Sequence, residues 1–237
     1  MKKILLLSVS LFSLAVLSGQ NLQLHYDFTD ANSENIKGRN YMTATFEMFK
    51  PDSVGSTFWF IDIDFSGPHS EPALAYVEFM RDLKFWDFPV ALHAEYNGGL
   101  IHNIDNSNFG SPLEHIGIVG PSAAFSFAGI GFSTYAGFRF GHKPEEGPDF
   151  QWTFTWFKNL ADNKISLTGF FDIWTQDDYN APAQPDGKKL VIITEPQIWY
   201  NIAPWLSAGG EIEISHNFIP GSKKLEVFPT LGAKYTF

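Results

Sequence analysis

The 237-residue sequence predicts an all-β fold: a transmembrane antiparallel up-and-down β-barrel of about 12 strands that follows a cleaved N-terminal signal peptide. Three observations predict it. The first 19 residues resemble a secretory leader, much of the remaining chain alternates apolar and polar residues, and the last alternating segment ends in an aromatic residue, Phe237. No run of 18 apolar residues follows the leader, which argues against helical membrane spans.

The leader is the first element. Lys2 and Lys3 form its positive start, residues 4–17 are mostly apolar, and the small residues Ser18 and Gly19 provide a cleavage site before Gln20. The apolar stretch is shorter than the roughly 20 residues that cross a bilayer as a helix. We therefore predict a signal peptide over residues 1–19 and one barrel domain over residues 20–237.

Composition narrows the classes of partner. Without Lys2 and Lys3, 14 of the 16 basic residues remain against 26 acidic ones, so the mature chain has a net charge of −12. A chain this acidic repels nucleic acid, and we predict no nucleic-acid partner. The sequence has no cysteine, which excludes disulfides, thiol chemistry and a lipidated-cysteine anchor.

Predicted strands in the first half have apolar residues at every second position, as a barrel wall between lipid and water requires. A sixth segment near residues 115–127 is less regular because Gly117, Gly120 and Pro121 interrupt it. The fourth predicted strand covers residues 74–83. The apolar positions of the first, second, third and fifth strands are Leu22, Leu24, Tyr26 and Phe28; Met42, Ala44, Phe46 and Met48; Trp59, Ile61, Ile63 and Phe65; and Val90, Leu92, Ala94 and Tyr96.

The second half alternates more regularly. Its last three strands cover residues 190–201, 206–218 and 225–237, and the last presents Leu231, Ala233, Tyr235 and Phe237 on one face. The apolar positions of the three strands before them are Phe132, Ala136, Phe138 and Phe140; Phe150, Trp152, Phe154 and Trp156; and Ile165, Leu167, Phe171 and Ile173.

The spacing of these strands fits a closed barrel. Twelve strands in the mature chain leave about 18 residues for each strand and its connection, enough for membrane strands of ~9–11 residues. Connections near residues 161–163 and 201–204 are short, whereas residues 97–111 and 176–189 form longer polar connections. Short turns at one rim and long loops at the other are typical of outer-membrane barrels. A soluble β-sandwich is the alternative, but such a fold seldom places Phe150, Trp152, Phe154 and Trp156 along one face.

The polar faces of the strands predict the lining of the barrel. Carboxylates predominate over bases there, which disfavours anions and favours cationic or neutral polar solutes. Aromatic rings beside carboxylates suit flat polar molecules, because the ring stacks while the carboxylate accepts hydrogen bonds. Alternatively, the acids only pair with Arg139, Lys234 or water. The predicted channel-lining residues are Phe58, Phe60, Asp62, Asp64, Glu95, Asp172, Trp174, Glu195, Trp199, Glu211 and Glu213.

No catalytic residue, metal site or cofactor is predicted. Ser215 and His216 are neighbours on a strand, so they point to opposite faces. Glu211 and Glu213 share a face and could in principle serve a retaining glycosidase, although acids on one strand are common in barrel interiors. The histidines lack the spacing of metal ligands.

Several stretches resemble a known family. The segment from Ser56 to Phe65, STFWFIDIDF, is similar to the aromatic–aspartate strand of the Tsx-like nucleoside-specific channel-forming outer-membrane proteins, and HYDF at residues 25–28 is similar in character. The segments TEPQIWY at 194–200 and GGEIEIS at 209–215 resemble late strands of a related group of uncharacterised Gram-negative outer-membrane barrels. The resemblance implies a twelve-stranded monomer with a narrow nucleoside channel, lined here by Phe58, Phe60, Asp62, Asp64, Glu195 and Trp199. The chain departs from the family in its short loops and few interior bases.

These observations predict a passive channel in the outer membrane of a Gram-negative bacterium, for small neutral or cationic polar solutes and most specifically nucleosides. Outer-membrane lipid is one expected partner, and the barrel-assembly machinery, which would read the terminal strand ending in Tyr235, Thr236 and Phe237, is another. Two alternatives stay open: a structural or adhesive barrel with a closed interior, and a barrel hydrolase with a carboxylate pair.

Overall fold

The computed structural model describes residues 19–29, 39–102, 110–141, 148–178 and 187–237. Residues 1–18, which make up nearly all of the predicted signal peptide, lie outside these ranges. The described strands are β1 Gln20–Asp27, β2 Met42–Asp52, β3 Gly55–Asp64, β4 Leu74–Leu83, β5 Ala91–His102, β6 Gly110–Pro112, β7 Ile116–Phe127, β8 Ile130–Gly141, β9 Asp149–Leu160, β10 Ile165–Asp177, β11 Lys188–Thr194, β12 Gln197–Ala203, β13 Leu206–His216 and β14 Leu225–Thr236.

These strands form one closed antiparallel sheet. Neighbours in sequence pair around the wall, and the ring closes where β1 pairs β14, with Leu24 opposite Ala233. The short β6 pairs only with the end of β5. Because β11 and β12 together occupy one position between β10 and β13, the wall has twelve strands, and the predicted fold class is confirmed.

The break between β11 and β12 has a local cause. Pro196 has no backbone N–H to add to the sheet, so regular pairing stops at Glu195 and Pro196. The register against β10 continues unchanged across the break, with Thr194 opposite Phe171 and Gln197 opposite Thr168. Inward and outward positions are therefore the same on both sides of the break, as in the single strand predicted over residues 190–201.

Accessibility confirms the predicted alternation between the two faces. On β9, Phe150 and Trp152 are 57% and 46% exposed, whereas Gln151 and Thr153 are 5% and 4% exposed. The exposed apolar side chains of neighbouring strands form a continuous outer surface that suits lipid, and the buried polar side chains face the interior. No helix in the described ranges is both long and apolar enough to cross a membrane.

The connections differ between the two rims. At the rim that holds both ends of the wall, β7 and β8 are joined by residues 128–129 and β12 and β13 by residues 204–205. The opposite rim has longer connections, such as residues 28–41, 178–187 and 217–224. The even number of strands explains why β1 begins and β14 ends at the same rim.

Two predicted details differ from the structure. The sequence analysis places Asn97 at the start of a long connection, but β5 continues to His102, and Asn97 pairs with both Glu78 and Ile116. The irregular sixth segment forms a complete strand, β7, because Gly120 allows its backbone to lie directly against that of β8. The glycines and proline there permit a close approach instead of ending the strand.

Candidate functional site in the barrel interior

The wall positions the candidate residues by its register. On β3, Phe58, Phe60, Asp62 and Asp64 occupy the face that also carries the inward side chains of β2 and β4. The same alternation places all eleven predicted lining residues on the interior side. Their contact with a solute stays a prediction.

Carboxylates from opposite walls approach one another in the middle of the barrel. Glu195 lies close enough to Glu211, Asp62 and Asp172 for their charges to interact. These residues come from the β11–β12 break, β13, β3 and β10, so the interior is narrow at this level. The side chains of Asp62, Asp172 and Glu195 nevertheless stay partly accessible to solvent. Carboxyl groups therefore line the interior where it is narrow.

Several of the predicted acids have partners in the wall. Thr43 and Thr45 on β2 donate hydrogen bonds to Asp64 and Asp62, at 2.6 and 2.5 Å. Glu211 accepts a hydrogen bond of 2.8 Å from Gln197, and its Oε1 lies 3.3 Å from Nδ1 of His25. Contacts within the wall thus account for part of the acidic face, although these partners are not the Arg139 and Lys234 that the sequence analysis named.

The predicted aromatic residues differ in how much ring they leave accessible. Trp199 is fully buried: Lys234 Nζ lies 4.2 Å from its ring centroid, and the ring of His25 packs edge-on at 5.4 Å. Trp174 is also buried, against Val191 and Ile193. Phe58 and Phe60 stay partly accessible, with ring centroids 6.0 Å apart. Of these four rings, only those of Phe58 and Phe60 have faces that can stack on a solute.

Arg39 is an interior residue that the sequence analysis missed. It lies just before β2, its Nε donates to Asp27 at 2.9 Å, its Nη2 donates to Glu213 at 2.8 Å, and its guanidinium lies 3.6 Å from the ring centroid of Phe228. Burial disfavours its charge, but the carboxylate of Glu213 outweighs this effect and raises the pKa of Arg39. This contact ties the connection between β1 and β2 to the inner wall. Strand alternation could not reveal it, because Arg39 is not in a strand.

A second interior group surrounds His93, which shares the inner face of β5 with the predicted lining residue Glu95. Its Nδ1 lies 2.9 Å from Asp82 Oδ1, its Nε2 lies 3.1 Å from Glu95 Oε2, and its ring stacks on Tyr135 with centroids 3.8 Å apart. Ser122 donates to the same oxygen of Asp82 at 2.6 Å. The histidine therefore bridges two carboxylates on adjacent strands and orients Glu95.

The structure also tests two chemistries that the sequence analysis did not predict, a serine–histidine pair and a metal site. Ser215 faces the interior and donates to Glu213 at 2.9 Å, whereas Nδ1 of His216 contacts the carbonyl oxygen of Lys224. The two residues do not pair, as their adjacent positions predict. Within the described ranges, no group of three or more His, Asp or Glu side chains is placed to hold a metal ion.

Comparison with known proteins identifies the fold. Residues 19–237 match the model of a family described as a domain of unknown function, DUF5020. No curated protein matches the chain. The structure is similar to that of NanC porin, with a TM-score of 0.57 and 10% sequence identity over 92% of this chain and all of that one.

Two further solved structures show weaker similarity. KdgM porin has a TM-score of 0.48 and 7% identity over 92% of this chain and 99% of that one. LpxR from Salmonella typhimurium has a TM-score of 0.47 and 7% identity over 93% of this chain and all of that one. The closed wall with its apolar outer face is that of an outer-membrane-type β-barrel, a fold that the chain shares with NanC porin.

Proposed function

The chain belongs to the DUF5020 family, and from its interior we propose that it is a passive outer-membrane channel for small polar solutes, most specifically nucleosides. One observation carries the proposal: accessible aromatic rings lie beside accessible carboxylates on the inner face of β3. Phe60 would stack on the base, and Asp62 would accept hydrogen bonds from it. Weak stacking of this kind concentrates a solute without trapping it.

We propose a monomer surrounded by outer-membrane lipid and inserted by the barrel-assembly machinery, which would read the last strand, β14. Transport would follow the concentration gradient, and no catalytic step is assigned to the chain. If purified protein released a product from a glycoside, the carboxylate pair Glu211 and Glu213 would return as the candidate site.

Liposome swelling tests the proposed channel. Vesicles containing the protein should swell faster in a nucleoside than in a sugar of equal size. The double variant Phe60→Ala/Asp62→Ala should lower the nucleoside rate relative to the sugar rate, because it removes both the ring and the acceptor. Ile61→Ala is the matched control, since Ile61 lies between them on the outer face and is 37% exposed.

Unchanged nucleoside flux in the double variant would remove Phe60 and Asp62 from the solute path. A protein that passes neither solute would be a barrel with a closed interior, the alternative that the buried side chains of Gln23, His25 and Trp199 favour.

A further inference from the structure

Three buried oxygen atoms on the described part of the inner wall lack a hydrogen-bond partner. They are Glu95 Oε1, Asn97 Oδ1 and Asp172 Oδ1. Buried acceptors in folded proteins are nearly always paired, so each unpaired one calls for an explanation. Glu95 and Asn97 are only 6% and 5% exposed. Neither side chain is therefore exposed enough for this oxygen to accept a hydrogen bond from bulk water.

The wall brings these oxygens to one place. Glu95 and Asn97 are two residues apart on β5 and share its inner face, and Asn97 lies directly opposite Glu78 of β4. Asp172 reaches the same region from β10, within range of the charges of Glu78 and Glu95. The hydroxyl of Tyr135 lies among these three carboxylates. The unpaired acceptors thus lie in one region of the interior.

Acidic side chains outnumber basic ones in this region. Glu78, Glu95 and Asp172 are the acids, Arg139 is near enough to interact with Asp172, and His93 is shared between Glu95 and Asp82. Tyr76 donates to Glu78 Oε1 at 2.6 Å, and Arg139 donates to Gln151 at 2.7 Å. Tyr135 and Thr153 also hydrogen-bond to Glu95 and Asp172. These contacts still leave Glu95 Oε1, Asn97 Oδ1 and Asp172 Oδ1 without a hydrogen bond.

We propose that Glu78, Glu95, Asn97 and Asp172 form an amine site, which binds the protonated amino group of a solute in transit. An ammonium group has three donors and no acceptor, so it matches three unpaired oxygens. A metal ion is a poorer candidate for this site. Within the described ranges, no group of three or more acidic or histidine side chains is placed to hold one. The inference rests on the proposed channel and adds protonated amines to the small polar solutes that it passes.

The experiment compares glucosamine with glucose, two solutes of similar size that differ by an amino group in place of a hydroxyl. Swelling is measured at about pH 6, below the ordinary pKa of an amine. Because an acidic cleft can raise the local concentration of a cation about tenfold or more, we expect glucosamine to enter about ten times faster than glucose. Glu95→Gln and Asp172→Asn should each bring this ratio towards one. Asn97→Leu should do the same, although it leaves the net charge unchanged.

Asp162→Asn is the matched control. It removes one negative charge from the turn between β9 and β10, where Asp162 is exposed and its positive φ of 52° suits asparagine. The ratio should stay as in the unchanged protein. If Asp162→Asn lowered it as much as Glu95→Gln, net charge would be responsible and the amine site would be rejected.

The remaining outcomes separate this inference from the proposed channel. Equal entry of both solutes into vesicles with the unchanged protein would reject the amine site and keep the channel. Entry of neither would reject both. The folding of each variant is checked by gel mobility before and after heating. If a variant failed to fold, Asn97→Asp would replace it, because an added carboxylate should raise the ratio, and a lower ratio would reject the site.

Discussion

At the scale of single residues, the face on which a side chain lies determines which solvent it meets. Phe154 lies midway along β9 on the outer face, and its ring stacks on that of Phe132 at 5.3 Å. Its neighbour Thr153 is 4% exposed and faces the interior. The same strand therefore has one surface that requires lipid and another that requires hydrogen bonds.

Phe154→Arg tests this assignment. A cation near the middle of the bilayer should lower the free energy of unfolding by ~2–4 kcal/mol. The measurement is denaturant titration of the protein folded in vesicles. Phe127→Arg is the control, because Phe127 ends β7 at the rim and is 73% exposed, so the same change should cost only ~0–1 kcal/mol there. Equal losses in the two variants would contradict the position of the membrane.

At the scale of strands, the close contact between β7 and β8 depends on small residues. Val119 pairs with Phe138 and Ser122 with Tyr135, and Gly120 lies between them. A Cβ atom at Gly120 would lie 2.0 Å from the carbonyl oxygen of Ala136, which is backbone and cannot move aside cheaply. The strand therefore tolerates no side chain at this position.

Gly120→Ala should consequently destabilise the wall by ~1–3 kcal/mol, the usual cost of overpacking. Urea unfolding of the folded barrel in detergent measures the effect. Gly131→Ala on β8 is a matched control, because the Cβ atom there would meet nothing nearer than the carbonyl oxygen of Phe157 at 3.7 Å. A Gly120→Ala variant as stable as Gly131→Ala would show that the two strands can separate freely.

At the scale of the whole molecule, one seam converts a sheet into a barrel. Seven residue pairs join β1 to β14, from Asn21 opposite Thr236 to Asp27 opposite Thr230. Closure leaves no unpaired edge along these strands, which is a requirement for backbone in lipid. The stability of the barrel should therefore depend on this seam.

Gel mobility before and after heating tests closure. The mature chain, folded in detergent, should migrate as a compact species until it is boiled. Deletion of residues 231–237 should abolish this shift, because it removes six of the seven pairs of the seam. Leu231→Ala keeps every backbone pair and should retain the shift. A mature chain that stayed soluble without detergent and ignored vesicles would contradict the membrane barrel itself.

The amino-acid sequence by itself determined which side chains face in and which face out. Alternation along β3 was sufficient to place Asp62 inside and Ile61 outside, because side chains in a strand take opposite faces with a period of two residues. The sequence also predicted a short connection near residues 161–163, and the structure has it at residues 161–164, between β9 and β10.

Only the tertiary structure decided which inward residues meet. Alternation describes one strand, whereas closure of the wall brings Asp172 of β10 near Glu78 of β4. It also buries the ring of Trp199 beneath Lys234 and leaves that of Phe60 accessible. Arg39 reaches the interior from a connection, where no periodic pattern applies. Pairs that are distant in the chain depend on the circumference and tilt of the barrel, and the pattern of a single strand contains neither.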